Sequence, residues 1–478
     1  MVTNIRQDCT WIYLEINGEH KMTIFQNIDP LWICLILYLG FTISATAGID
    51  NKYKTTKEGF WVSGRSAPTW MVATSAASSW LWVLGLLLIG RFSLEYGPPG
   101  VFWSYGLPFL GASIMFGYLG KILLEKFPQG FTLNSFIQLR YDNKKLTILY
   151  QFLQIAACIY AVSGTLTSFG IVAEFISKDF NYNVIVSIVA LTVLSYSVWG
   201  GQKACHRTDI LNMVLLLIIS VFASLYIVMD NGGVGTVTSN WPATSLFDPK
   251  LMWSKGMFLA LIFVGSFLAD NMQYQNVFAL GDKTKVIKTY WLASAILVFV
   301  ITGMSFITGS IFTMNPGIDI NPDVVQMYVI QSTFGLAGVI FFMLTILFKA
   351  SSVIDSTING AGTVISNDII KRSNPINVSR WAMAIVMIIA TLIAIYRIDI
   401  WILVSTFGLL RIIMIAPTLY ALLSKKKIPT ELLFYVLASI TILGIGSTFT
   451  TLPIDRAALG LILFLIPVGF IGYEHFKK

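Results

Sequence analysis

The chain has 478 residues, of which 12% are charged and 56% hydrophobic, and its formal net charge is +8. A soluble domain carries roughly 25% charged residues, and no water-soluble fold hides this much apolar surface behind so few charges. A soluble enzyme, a disordered chain and a fibrous chain are thereby excluded, and an all-α polytopic membrane protein remains.

Crossing a hydrocarbon core of about 30 Å takes about 20 apolar residues in a helix. On that rule about thirteen transmembrane helices are predicted, near 31–48, 69–90, 101–120, 146–176, 183–199, 209–229, 256–279, 290–313, 331–366, 380–396, 400–423, 431–450 and 457–473. Ahead of them lies a polar N-terminal segment, 1–30, which lacks the basic start, apolar run and cleavage site of a signal peptide. The first span is therefore read as uncleaved, and residues 31–478 as a single transmembrane domain.

The positive charges supply a check on this division, because Lys and Arg concentrate in cytoplasmic loops. Every second loop, starting with 49–68 and ending with the C-terminal tail, holds 22 of the 32 Lys and Arg residues. The alternate loops hold 8, and Lys349 and Arg411 fall inside spans. The pattern predicts an extracellular N-terminus, a cytoplasmic C-terminus and a location in the plasma membrane. The basic balance is thus a topology signal, and no nucleic-acid partner is expected beside the lipid bilayer. Four scattered cysteines without CxxC spacing and three isolated histidines give no metal site, no cofactor and no catalytic set.

Charges at membrane depth are expensive and mark cavities or partners. Asp270, Lys349, Asp355 and Arg411 are such charges, and Arg91 stands at the outer end of its span. Two spans also carry polar interruptions. Span 69–90 has Thr74, Ser75, Ser78 and Ser79, and span 256–279 has Gly265 followed by Asp270-Asn271-Met272-Gln273. Unwound helix at the midplane exposes backbone groups that hold a cation and a small solute, although small residues also serve close helix packing. The two interrupted spans stand five apart, as an inverted repeat of five helices requires.

Four stretches together resemble the sodium:solute symporter family. They are Gly64-Arg65-Ser66-Ala67-Pro68, then Trp199-Gly200-Gly201-Gln202-Lys203-Ala204 leading to Thr208-Asp209-Ile210-Leu211-Asn212. The third is Tyr274-Gln275-Asn276-Val277-Phe278-Ala279-Leu280, and the last is Ser352-Val353-Ile354-Asp355 running on to Asn367-Asp368-Ile369. Within the family, Ser79-Trp80-Leu81-Trp82 and Tyr96-Gly97-Pro98-Pro99-Gly100 look most like the active urea permeases. The resemblance implies a leucine-transporter-like fold of two inverted five-helix repeats, about 69–229 and 256–423. It also implies alternating-access transport of a small polar solute, urea-like first, coupled to Na+ or H+.

Carried over residue by residue, the resemblance places sodium ligands at Ser78 and Leu81 on the first core helix and at Lys349, Ser352 and Val353 on the eighth. Val353 and Lys349 depart from the family pattern of hydroxyl and small residues. In one reading an ammonium takes the ion's place, Asp355 and Asp270 balance it, and a proton or nothing drives transport. In the other, the register slips by one and Ser351 joins Ser352 as a ligand. Trp80, Trp82, Asp270, Gln273 and Tyr274 are the expected solute pocket. Asp209, at the start of core helix five, is read as lining the ion's exit or as a helix cap. Asp355, Arg91 and Arg411 complete the coupling and gating candidates, and the two arginines would favour an anionic solute. A transport-deficient sensor or regulatory protein of the same fold, or an uncoupled carrier, is the alternative reading, and an enzyme is not expected.

Overall fold

The computed structural model describes residues 29–176, 181–398, 400–449 and 455–477. Nearly all of the N-terminal segment 1–30, with Lys178 and Lys478, lies outside the described residues. Among those described, the regular secondary structure is helix throughout. The long helices, labelled here in chain order, are α1 (Pro30–Thr46), α2 (Thr69–Trp80), α3 (Val83–Val101), α4 (Leu107–Lys126) and α5 (Lys144–Ile176). Then come α6 (Tyr182–Leu217), α7 (Phe258–Ala269), α8 (Asn271–Leu280), α9 (Lys283–Gly309) and α10 (Val325–Val364). The last five are α11 (Pro375–Ile395), α12 (Ile400–Ile412), α13 (Ile415–Leu423), α14 (Thr430–Phe449) and α15 (Arg456–Phe476).

Local sequence starts these helices where side-chain acceptors meet the free N–H groups of a first turn. Asp29 accepts from Leu31 N at 2.8 Å, Asp282 from Thr284 N at 2.9 Å and Asp455 from Ala457 N at 2.9 Å. Bends decide how helical runs convert into crossings. The run 182–230 has 49 residues, a length of about 74 Å that is more than twice a bilayer core. It bends at Gly201, whose φ of 55° and ψ of −149° suit glycine, and where a Cβ would meet the Phe60 carbonyl at 2.5 Å. Gly335, with φ of 58°, bends the start of α10 in the same way. Nine runs among the described residues are long and apolar enough to cross a membrane.

Two further breaks position the site. Leu81 and Trp82, with ψ of 102° and 165°, separate α2 from α3, and Asp270, with ψ of 114°, separates α7 from α8. The most enclosed run contains α10, which packs on α2, α6 and α8, while α14 and α15 stay peripheral.

Loop contacts sort into two ends of the bundle. At the first, Arg65 donates to the carbonyls of Pro128, Gln129 and Gly130, and Arg380 to those of Val198 and Lys54. Arg140 donates to Ser424 O and Lys426 O at the same end, and Lys283 pairs with Glu125 at 3.4 Å. At the second end, Arg91 pairs with Asp323, Arg397 with Glu174, and the Trp253 indole with Asp455. The basic loops thus contact one another, and so do the loops poor in Lys and Arg.

Candidate functional site

The first cluster forms where α2 stops. Its last carbonyls have no intrahelical partner, apart from Ala77 O, which takes Leu81 N at 3.3 Å. The Ser78 carbonyl instead receives the ammonium of Lys349, reaching across from α10. Ser78 Oγ shares a hydrogen bond with Ser352 Oγ and accepts from the Asn212 amide. Ser352 and Ser75 both donate to the carboxylate of Asp209. All of these side chains are buried, with Lys349 at 0% exposure.

This geometry corrects three expectations. Asp209 is no helix cap, since it lies well inside α6 with its carboxylate bound by two serines of neighbouring helices. Through Ser352 and Ser78 it joins the same hydrogen-bonded cluster as Lys349, the place that the sequence reading gave to Asp355 and Asp270. Asp355 instead accepts from Tyr196 at 2.6 Å, from Thr208 at 3.1 Å and from Ser356 at 3.1 Å. The slipped register fails as well. Successive helical residues point about 100° apart, so Ser351 faces α1, where it bonds to Tyr38, donates back to Leu347 O of its own helix, and does not meet Ser78. Val353 is buried without a polar group to offer, and Leu81 is the first residue past the end of α2.

The second cluster forms at the other break. Asp270 is 3% exposed and Arg411 1% exposed, and they make a buried ion pair. The guanidinium also lies 5.8 Å from the Trp82 ring. Arg411 reaches this position because α12 passes directly over Gly265, where a Cβ would stand 2.8 Å from the Arg411 carbonyl. Gly265 therefore serves close helix approach rather than unwinding. Arg91, at the far end of α3, is matched by Asp323 at 2.9 and 3.1 Å. Both arginines are thus neutralised, which removes the reason for expecting an anionic solute.

Between the breaks lies a cavity of about 50 Å³. Trp80, Trp82, Tyr105, Phe109 and Phe263 supply its aromatic walls, and Gly85, Leu88, Ile262 and Ser266 complete much of the rest. Trp80 stacks on Phe109 at 5.7 Å and against Phe267 at 3.6 Å. Its indole N–H is buried without a protein acceptor, and Oδ2 of Asp270 is buried without a protein donor. Gln273 and Tyr274 are turned away from this cavity. Gln273 receives the Tyr290 hydroxyl at 3.1 Å, and Tyr274 donates to Leu268 O at 2.7 Å and packs on Phe116. Of the five expected pocket residues, only Trp80 and Trp82 line the cavity.

The half-helices α3 and α7 that form the cavity lie on the side of the breaks away from the basic loops. Toward the basic end stands a network of buried amides. Gln202 links Asn276 and Asn359, His206 shares Asn276 Oδ1 at 3.1 Å, and Gln275 donates to Trp61 O at 3.0 Å and to Thr363 at 2.8 Å.

The site residues that sequence reasoning passed over are Ser75, Asn212, Tyr105, Phe109, Phe263 and Ser266. Ser75 stands one turn before Ser78, and Asn212 one turn after Asp209, so helical spacing from the chosen residues carried the signal for both. The ring residues Tyr105, just before α4, Phe109 of α4 and Phe263 of α7 had no signal apart from being apolar or aromatic.

A sequence model of the sodium:solute symporter family matches residues 60–426, and the chain belongs to that family. It is 26% identical over 175 residues to the probable urea active transporter 1 of Schizosaccharomyces pombe, covering 37% of this chain and 26% of that protein. It is 25% identical over 352 residues to the urea active transporter of Saccharomyces cerevisiae, covering 66% and 46%. The chain thus spans less than half the length of these two relatives. Among solved structures, a substrate-bound, outward-open Na+-coupled sialic acid symporter superposes with a TM-score of 0.69 at 15% identity, covering 93% of this chain and 98% of that one. At that identity the likeness is one of fold. The fold is the leucine-transporter-like core of two inverted five-helix repeats, in a multi-pass membrane protein of a family of symporters rather than enzymes.

Proposed function

We propose that the chain is a secondary transporter that carries a small, neutral, polar solute by alternating access, with urea the first candidate. The observation that carries this reading is the pair of helix breaks, at Leu81–Trp82 and at Asp270, flanking one aromatic-lined cavity. Broken helices place solute-binding groups at the midplane, and rocking of one repeat against the other exposes them to each side in turn. The cavity suits a small planar solute, with flat rings against its faces. The free indole N–H of Trp80 offers a donor to a carbonyl, and the Ser266 hydroxyl offers an acceptor to amide hydrogens. Both fixed positive charges nearby are matched, which supports a neutral cargo, and the two yeast relatives are named for urea. In this reading the basic end is cytoplasmic, and the amide cluster at Asn276 is the closed inner gate.

The test is uptake of radiolabelled urea into proteoliposomes containing the purified chain. Saturable uptake that thiourea competes for is expected, and it should fall with Trp80→Ala. Absence of saturable uptake across a panel of urea, acetamide, a hexose and a sialic acid would sink the transporter reading.

A further inference from the structure

The groups gathered at the end of α2 make a set of hard oxygen donors. They are the carbonyl and hydroxyl of Ser78, the hydroxyls of Ser75 and Ser352, the carboxylate of Asp209 and the amide of Asn212. Carbonyls released at a helix end, hydroxyls and one carboxylate are the chemistry that holds a small monovalent cation, and the negative end of the α2 dipole points the same way. The position such a cation would take is filled from within the chain. Lys349 Nζ bonds to the Ser78 carbonyl, one helical turn before Ser352 on the same helix, and Ser352 in turn donates to Asp209. Asp355, the other acid of the region, is turned to Tyr196, Thr208 and Ser356.

We propose that the ammonium of Lys349 is a built-in substitute for a coupling cation, so that this site binds no sodium and solute crosses without a sodium gradient. A sodium ion entering beside Lys349 would meet a like charge at roughly 4 Å, which at an effective dielectric near 20 weakens binding about a thousandfold. The statement about sodium binding stands by itself, and the statement about solute movement rests on the transport reading above.

The experiment compares the thermal midpoint of the full purified chain in sodium chloride and in choline chloride, without solute. The wild type should be indifferent to the exchange. Lys349→Ala leaves the oxygen set and Asp209 vacant of positive charge, so saturating sodium should raise its midpoint by on the order of 3 °C. Adding Asp209→Asn should abolish the gain. Equilibrium binding of radiolabelled sodium to the wild type needs no variant and should show none that saturates. Saturable sodium binding by the wild type overturns the proposal, and so does a folded Lys349→Ala protein that ignores sodium. If uptake assays fail while these results hold, the transport reading falls and the substitution of lysine for a cation stands. In proteoliposomes that do take up solute, replacing external sodium with choline should leave the initial rate unchanged, and a collapse of that rate overturns the coupling half.

Discussion

Removing Arg411 tests whether the charges at membrane depth act as pairs. Arg411 lies in the last turn of α12 and Asp270 immediately before the first turn of α8, so each sits at the helix end whose partial charge it opposes. Their side chains are 1% and 4% exposed, and Gly265 brings the backbones of α7 and α12 together, so water cannot replace a lost partner. Taking one member from such a pair leaves a bare buried charge, at about 3–5 kcal/mol. Arg411→Met should therefore lower stability by that amount. Exchanging both residues for neutral groups of similar volume is often close to neutral, so Asp270→Asn combined with Arg411→Met should recover most of the loss. The coupling read from the full cycle should be about 2–3 kcal/mol. Reversible denaturation of the purified protein in detergent gives these four stabilities. If the double variant is as unstable as the sum of the single ones, the two residues do not act as a unit and the reasoning is wrong. Arg411→Lys keeps the charge but not the planar fork, and should fall between wild type and Arg411→Met.

Other substitutions probe separate links. A Cβ at Gly303 would lie 1.6 Å from the Ser220 carbonyl, whereas Gly40 has nothing within 4 Å. Gly303→Ala should therefore destabilise by about 1–3 kcal/mol or more, with Gly40→Ala near zero, measured by the same unfolding assay. Arg91 is 33% exposed in its pair with Asp323, so Arg91→Ala should cost less than about 1 kcal/mol and become harmless in high salt. Trp80→Ala removes a ring held between Phe109 and Phe267, at about 3–5 kcal/mol of stability. Its enlarged cavity should also shift uptake from urea toward bulkier amides, and unchanged selectivity would separate Trp80 from the solute path.

Some of this was legible in the sequence for a physical reason. Spans must be apolar along their whole length, and the loops between them differ in charge by side, so composition alone divides the chain. The contacts of Arg65, Arg140 and Arg380 at one end, and of Arg91 and Arg397 at the other, follow that division. The broken helices were also visible, since serines and an Asp-Asn pair interrupt otherwise apolar runs. The partner of each buried charge was not visible. Lys349 and Asp209 are 140 residues apart in the chain, and nothing local to either says that α6 and α10 will meet there. Orientation was equally hidden. Ser351 and Ser352 are alike in composition, but one faces Tyr38 and the other Ser78, and the break at Asp270 sets the phase that turns Gln273 and Tyr274 away from the cavity.

The two clusters share one electrostatic design. A helix that stops in the membrane exposes carbonyls at one end and N–H groups at the other, and with no water nearby each end requires a charge of opposite sign. At the end of α2 that charge is Lys349, and at the start of α8 it is Asp270. Each charge then has a counter-charge in its own cluster, Asp270 in direct contact with Arg411, and Lys349 joined to Asp209 through Ser78 and Ser352. The four residues therefore leave both breaks neutral with nothing bound. A neutral site gives an ion little to gain, while a polar solute still finds the free indole N–H of Trp80 and the Ser266 hydroxyl. The same four charges that satisfy the broken helices thus favour an uncharged cargo, and they tie the proposed indifference to sodium to the proposed preference for a neutral solute.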